Sequence, residues 1–196
     1  MKQAQRRNGT GRKSLISTGS NENSVWGDPA ETVLKARLSL ENRLKTDVVM
    51  SRLYTTPAFP AGSGPDFVNA VFSLTTDIGP ETLLTILHEI ESEAGRVREK
   101  RWGPRTLDLD LLAYGDLILP DLDVWTDWHD LPPEQQTEVA PDRLVLPHPR
   151  MQDRAFVLVP LADVAPTWVH PVLDLGVDDL LDACLGEDLA SIVPLT

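Results

Sequence analysis

Residues 106 to 114, Thr-Leu-Asp-Leu-Asp-Leu-Leu-Ala-Tyr, constrain the fold of this chain more than any other stretch. On a β-strand successive side chains point to opposite faces, so alternating leucine and aspartate give each face a distinct chemistry. Leu107, Leu109 and Leu111 define a core-facing side, and Asp108 and Asp110 share the other, which reads as a face built for cations. Two carboxylates on one strand face repel each other unless something positive sits between them. Hard oxygen ligands of this kind suit Mg2+, which usually takes one or two carboxylates together with substrate phosphates. An edge strand whose outward positions happen to be acidic gives the same pattern, so Asp-x-Asp alone leaves both readings open.

The preceding residues shift that balance. Arg96, Arg98, Lys100, Arg101 and Arg105 cluster ahead of the strand in a chain whose formal net charge is -12. Guanidinium groups grip phosphate oxygens bidentately, whereas lysine acts as a point charge. Arginines beside paired aspartates suggest a nucleoside triphosphate with its metal. No Gly-x-x-x-x-Gly-Lys-Ser/Thr run is present, and Gly11-Arg12-Lys13-Ser14 repeats only its end, so the phosphates would be held without a P-loop.

Composition bounds the remaining classes. A length of 196 residues with 41% hydrophobic side chains suits one domain with a sizeable core. An isoelectric point near 4.6 argues against nucleic-acid partners, whose affinity comes mostly from clustered cations. Cys184 is the only cysteine, which rules out an intrachain disulfide and suits a reducing compartment. No apolar stretch approaches the roughly 20 residues that a membrane span needs. Residues 1–13 are polar and basic without an apolar segment behind them, and read as a disordered tail on a cytoplasmic protein rather than a secretory signal. Residues 14–196 then form the single domain.

Along the chain, Leu15 to Thr18 is a short strand and Gly19-Ser20-Asn21 a turn. Asp28 caps a helix with Pro29 in its first turn, and Val33, Ala36, Leu40 and Leu44 recur at helical spacing. Asp47 to Tyr54 reads as a second strand, followed by a loop rich in proline and glycine from Thr55 to Pro65. Phe67 to Thr75 is a third strand. Pro80 opens a second helix with a Leu83, Leu87, Ile90, Ala94 stripe, stopped at Gly95, before a fourth strand from Thr106 to Tyr114. The order β-α-β-β-α-β is that of a ferredoxin-like α+β sandwich, an antiparallel sheet with two helices on one face. Asp121 to Arg143 is an acidic, insertion-like loop holding Trp125, Trp128 and His129, with Pro132, Pro133 and Pro141 breaking any long helix. It reads as a surface excursion anchored by tryptophans, or as a lid or docking element over the nucleotide. Closing helices follow as a C-terminal extension, in which Leu180, Leu181 and Ile192 are expected in the core.

Arg101 to Asp110 resembles the signature of the 6-hydroxymethyl-7,8-dihydropterin pyrophosphokinases, folate-pathway enzymes that move a pyrophosphoryl group from ATP to a pterin alcohol. Further segments resemble the same family in the same order: Leu15 to Asn21, Tyr54-Thr55-Thr56-Pro57, Asp66 to Ala70, Pro147-His148 and Arg154-Ala155-Phe156. The resemblance implies ATP as co-substrate and two Mg2+ ions on Asp108 and Asp110. It implies that Arg96 and Arg105 act on the phosphates, and that Arg98, Trp102, His148 and Arg154 attend the nucleotide. Phe67 and Phe156 would sandwich the pterin, with Asn69, Gly19, Thr56 and Ala58 around its polar edge. Glu91 matches an acidic family position, which a helix-surface glutamate explains equally well. His88, His129 and His170 are read as structural. A monomer is expected, with no nucleic acid or membrane partner, and association with other folate-pathway enzymes stays open.

This sequence departs from the family pattern in places. Phenylalanine stands at 67 where tyrosine is the rule, which keeps stacking and drops a hydroxyl. Ala58-Phe59 replaces a Pro-Leu type pair, and Pro149 stands in place of an aromatic after the histidine. Trp102, beside the glycine turn, could close over the substrates or simply anchor that turn. A non-catalytic nucleotide-sensing module, or an adaptor using the acidic tryptophan loop, would carry some of these features but not all three residue sets in order.

Overall fold

Antiparallel pairing on both sides of one long strand, β1 (Arg12–Ser20), organises the sheet. The computed structural model describes residues 11–58, 64–96, 105–132, 135 and 139–195. β1 pairs with β4 (Phe67–Thr76) on one side and β5 (Asp108–Tyr114) on the other. β3 (Tyr54–Thr56) follows β4, and β6 (Val193–Pro194) follows β3, giving the order β5-β1-β4-β3-β6. β2 (Val48–Met50) pairs further along β4.

β2 and β3 correct the single strand expected from Asp47 to Tyr54. Met50 pairs with Phe72 but Tyr54 with Asn69, so one residue more lies on this side than on β4. Ser51 absorbs the surplus. Its N–H donates to the Val71 carbonyl at 3.0 Å, and its hydroxyl, not a backbone carbonyl, accepts from the Val71 N–H at 3.0 Å. A bulge of this kind keeps every buried backbone group satisfied while re-aiming the strand. β1 starts at Arg12, inside the segment expected as tail, and β5 starts two residues later than expected.

Helix α1 (Pro29–Leu44) begins with a capping box: Asp28 accepts from the Glu31 N–H, and the Glu31 carboxylate accepts from the Asp28 N–H. Its Val33, Ala36 and Leu40 are wholly buried, as are Leu83, Leu87 and Ile90 of α2 (Pro80–Glu93). Both helices lie on one sheet face, against Ile16, Ala70, Phe72, Leu109 and Leu111. Each large aliphatic side chain buried there contributes about 1.5–3 kcal/mol relative to exposure. Gly95, with φ +85, turns the chain where α2 ends, a conformation other residues adopt at a cost.

The opposite face is not left to cations, as the Leu/Asp alternation suggested. Over Leu15, Val71 and Leu112 it is a second apolar core, covered by α4 (Ala155–Val164) and α5 (Val177–Asp182). Helices therefore cover both faces. Between β5 and α4, a short α3 (Leu122–His129) breaks the acidic excursion, and Trp125 roots it: the ring is 2% exposed and its Nε1–H donates to the Pro147 carbonyl at 2.8 Å. A last helix, α6 (Gly186–Ala190), leads into β6. No helix among the described residues is long and apolar enough to cross a membrane.

Candidate active site

Strand register assembles the site. Tyr54 pairs with Asn69, Asn69 with Gly19, and Gly19 with Asp108, one row of residues across four strands. Opposed residues in paired strands share a face, so this row stands on the α4 side of the sheet, beyond the end of the second core. Ser17 and Asp110 pair in the next row. Strands lie about 4.8 Å apart, which puts Asn69 about 10 Å from Asp108 with only a glycine between them. That glycine is required by space: a Cβ on Gly19 would sit 2.8 Å from Asn69 Oδ1. The sheet thus presents a flat floor with a polar amide at one end and two carboxylates at the other.

At the acidic end, Asp108 accepts ion pairs from two arginines. Arg96 approaches one oxygen at 2.5 Å, and Arg105 holds the other. Arg96 also pairs with Glu91, whose carboxylate is 2% exposed and accepts from the Leu109 N–H at 2.8 Å. Glu91 is therefore no surface residue of its helix; it carries Arg96 toward β5. Burial works against the Arg96 charge, but Asp108, Glu91 and Asp110 outweigh it and hold its pKa above the ordinary value. Gly19 and Ser20 belong to β1 rather than to the expected turn, and the strand's end fixes the segment before β5: Asn21 Oδ1 accepts from the Arg105 N–H at 2.8 Å, and Ser20 Oγ donates to the Thr106 carbonyl at 2.7 Å.

Above this floor lies a cavity of about 620 Å3. Gly19, Thr56, Ala58, Phe67, Asn69 and Phe156, the residues expected around the acceptor, all line it. So do Arg105, Asp108, Asp110 and Arg154. Thr56 is engaged within the wall, its hydroxyl accepting from Asn69 Nδ2 at 2.7 Å, which orients the amide and leaves its carbonyl oxygen and second N–H for a ligand. Arg154 stands over the Phe156 ring, 5.8 Å from its centroid. Such contacts favour a flat heterocycle near one end and an anion near the other.

Some expected residues stand elsewhere. Arg96 is behind Asp108 rather than on the cavity wall. His148 is half-buried on the turn after Pro147, where its N–H donates to the Leu112 carbonyl at 2.7 Å and its Nδ1 accepts from the Arg150 N–H at 3.2 Å. Burial, with Arg154 and Arg150 nearby, pushes its pKa down to about 3, so the ring is neutral near pH 7. Arg98 and Trp102 lie outside the described residues. Asp153, Asp188, Ser191 and Ile192 line the cavity without having been expected there. Ile192 was read as core, and it is 9% exposed, but it serves both. No local pattern could have marked it, because its place depends on β6 pairing with a strand far away in sequence.

The carboxylates fit a divalent cation bound jointly with phosphate. The Asp110 carboxylate makes no ion pair or hydrogen bond among the described residues, and no cluster of three or more His, Cys, Asp or Glu side chains forms a closed metal cage among them. One open carboxylate, Asp110, beside one held only by arginines, Asp108, suits Mg2+ bound with phosphate better than a structural zinc site.

A family model for 7,8-dihydro-6-hydroxymethylpterin-pyrophosphokinase (HPPK) matches residues 15–166. The 2-amino-4-hydroxy-6-hydroxymethyldihydropteridine pyrophosphokinase of Pseudomonas aeruginosa is 41% identical over 175 residues, 89% of this chain and 93% of its own. That of Haemophilus influenzae is 36% identical over 80% of this chain and 83% of its own. Among solved structures, wild-type Plasmodium falciparum HPPK-DHPS superposes with a TM-score of 0.59 over 90% of this chain and 45% of that longer one, at 14% identity, a likeness of fold. The resemblance thus extends through nearly the whole chain and well beyond the site motifs, and the chain belongs to the HPPK family.

Proposed function

We propose that the cavity is where this chain performs the HPPK reaction and that its wall residues divide the work by position. The chain is a pyrophosphokinase of folate biosynthesis, with ATP as co-substrate and 6-hydroxymethyl-7,8-dihydropterin as acceptor. One observation carries the assignment of roles: a single row across the sheet runs from Asn69 through Gly19 to Asp108, between Phe67 at one end and arginines at the other.

The pterin stacks between Phe67 and Phe156, each aromatic contact adding about 0.5–1.5 kcal/mol beyond burial, and its amide-like edge meets Asn69 and the backbone near Thr56 and Ala58. The absent hydroxyl at 67 leaves stacking intact. The triphosphate lies along Arg105 and Arg154, with His148 toward the nucleotide. Asp108 and Asp110 would hold Mg2+, two ions as the family resemblance implies, with Arg96 and Arg105 paired to Asp108 beside them. When bound, Mg2+ offsets phosphate charge and so admits an uncharged alcohol. The acceptor oxygen bonds to the β-phosphorus as the bridge from that phosphorus to the α-phosphate breaks; AMP leaves with the bonding electrons, and the hydroxyl proton is released. Arg96 and Arg105 steady the charge that builds up in between. Positioning does most of this work, which accounts for a site without a nucleophilic side chain.

The strand order supports a ferredoxin-like topology, with 14–196 as one domain and α5, α6 and β6 as its C-terminal extension. A monomeric cytoplasmic enzyme, free or associated with other folate enzymes, suits the acidic surface and single cysteine. Incubation with ATP, Mg2+ and the pterin, followed by chromatography, should yield AMP and the pterin diphosphate in equal amounts. Asp110→Ala should lower kcat by about three orders of magnitude, as the loss of roughly 4 kcal/mol of charge stabilisation requires, with little change in thermal midpoint. Near-normal AMP release by that variant would remove Asp110 from the metal site.

A further inference from the structure

Ser191 and Ile192, just ahead of β6, line one wall of the cavity. β6 adds to the free edge of β3: Thr55 pairs with Val193 and Tyr54 with Pro194, Thr55 Oγ1 donates to the Val193 carbonyl at 3.2 Å, and the Leu195 N–H donates to the Leu53 carbonyl at 2.8 Å. β3 is also the strand that carries Thr56, the residue orienting Asn69. The tail contributes almost nothing else to the core. Val193 is 53% exposed and Leu195 42%, and of residues 191–195 only Ile192 is buried. That one side chain packs on Tyr54 and Ala155 and faces the cavity, next to the helix that presents Phe156. A segment kept merely for stability would bury more of its apolar surface. Here the strand hydrogen bonds hold in place a single aliphatic side chain that a ligand would touch.

We infer that Ile192, held by the pairing of β6 with β3, is a specificity-determining residue that sets the width of the acceptor end of the cavity. This rests on the assignment of that end to the pterin. An isoleucine at this position excludes a heterocycle enlarged by an alkyl group and presses the correct one onto the floor formed by Asn69 and Gly19. Aliphatic walls discriminate by about one to two orders of magnitude per methylene, which fixes the scale of the expected effect.

Ile192→Ala should raise the KM for the pterin about tenfold and leave the KM for ATP and the saturated kcat unchanged. It should also shift the preference between the pterin and a ring-alkylated analogue about tenfold toward the analogue. Leu195→Pro removes the N–H that anchors the strand to Leu53 at a residue that does not line the cavity, and should raise the pterin KM in the same direction by less. Unchanged pterin KM and unchanged preference in Ile192→Ala would overturn the inference, as would KM values for both substrates rising together with a fall in thermal midpoint. Titration calorimetry with the pterin on the wild-type protein separates the two ideas: no binding removes the pterin from the cavity altogether, whereas wild-type binding with equal affinity in Ile192→Ala removes only the wall.

Discussion

The two faces of the sheet are both apolar at one end and differ at the other. Against α1 and α2 the packing of Ile16, Phe72 and Leu109 on Leu40, Leu83 and Leu87 continues the length of the strands. Against α4 and α5 it stops after Val71 and Leu112, and the same strands go on as Asn69, Gly19, Asp108 and Asp110. A face filled throughout gives stability, while a face filled half-way gives a floor whose exposed end is held rigid by the buried end. Precision at the site is thus obtained from packing that never touches a ligand. Glu91 joins the two, since it belongs to a helix of the filled face and ends among the charges of the other.

That joint offers the largest perturbation. Glu91→Ala leaves Arg96 short of a buried partner and the Leu109 N–H without its acceptor, and should cost about 3–5 kcal/mol in urea unfolding. It should also lower kcat, because Arg96 loses the group that aims it. Normal kcat in the folded fraction would show that the faces are energetically joined and chemically separate. Leu87→Ala, wholly on the filled face, should cost about 2–5 kcal/mol with both KM values unchanged. A change in either KM would mean that packing on the filled face sets the site's geometry as well as its stability.

The smallest effect tests the half-filled face by pH. His170 is fully buried beside Trp125 and Trp168, with its Nδ1 accepting from the Val172 and Leu173 N–H groups. Burial, and secondarily His129, lower its pKa from 6.5 to about 4. Its folded pKa lies below the unfolded one, so the unfolded chain binds the proton first and stability falls as pH drops from 6.5 toward 4. His170→Asn keeps an acceptor for those two N–H groups and should make the slope of unfolding free energy over that window shallower, by at most about 1.4 kcal/mol per pH unit. An unchanged slope in denaturant melts would assign the acid sensitivity to other groups, His148 among them.

Much of the filled face was legible from spacing alone. Val33, Ala36 and Leu40 recur every three or four residues, as do Leu83, Leu87 and Ile90, and all six are buried completely. Asp28 and Pro29 marked the start of α1 because capping is a local hydrogen-bonding problem with few solutions. The expected acceptor residues do line one cavity, yet spacing offered no reason for Asn69 and Asp108 to share a row. Their neighbourhood follows from β1 pairing with both β4 and β5, and the motif resemblance stood in for that pairing. The strand from Asp47 to Tyr54 misled for a related reason, since alternation cannot show that the Ser51 hydroxyl will replace a carbonyl in the ladder.

Composition and motif order by themselves determined an α+β chain of the pyrophosphokinase kind and singled out paired carboxylates, arginines and phenylalanines as the candidates for its working parts, because period, capping and residue chemistry are local properties. Only the tertiary structure decided that helices cover both faces, that Glu91 is interior, and that Ile192 stands at the cavity. Each of these depends on contacts between segments far apart in the chain, and such contacts are fixed by which surfaces must be buried together rather than by what any one segment prefers.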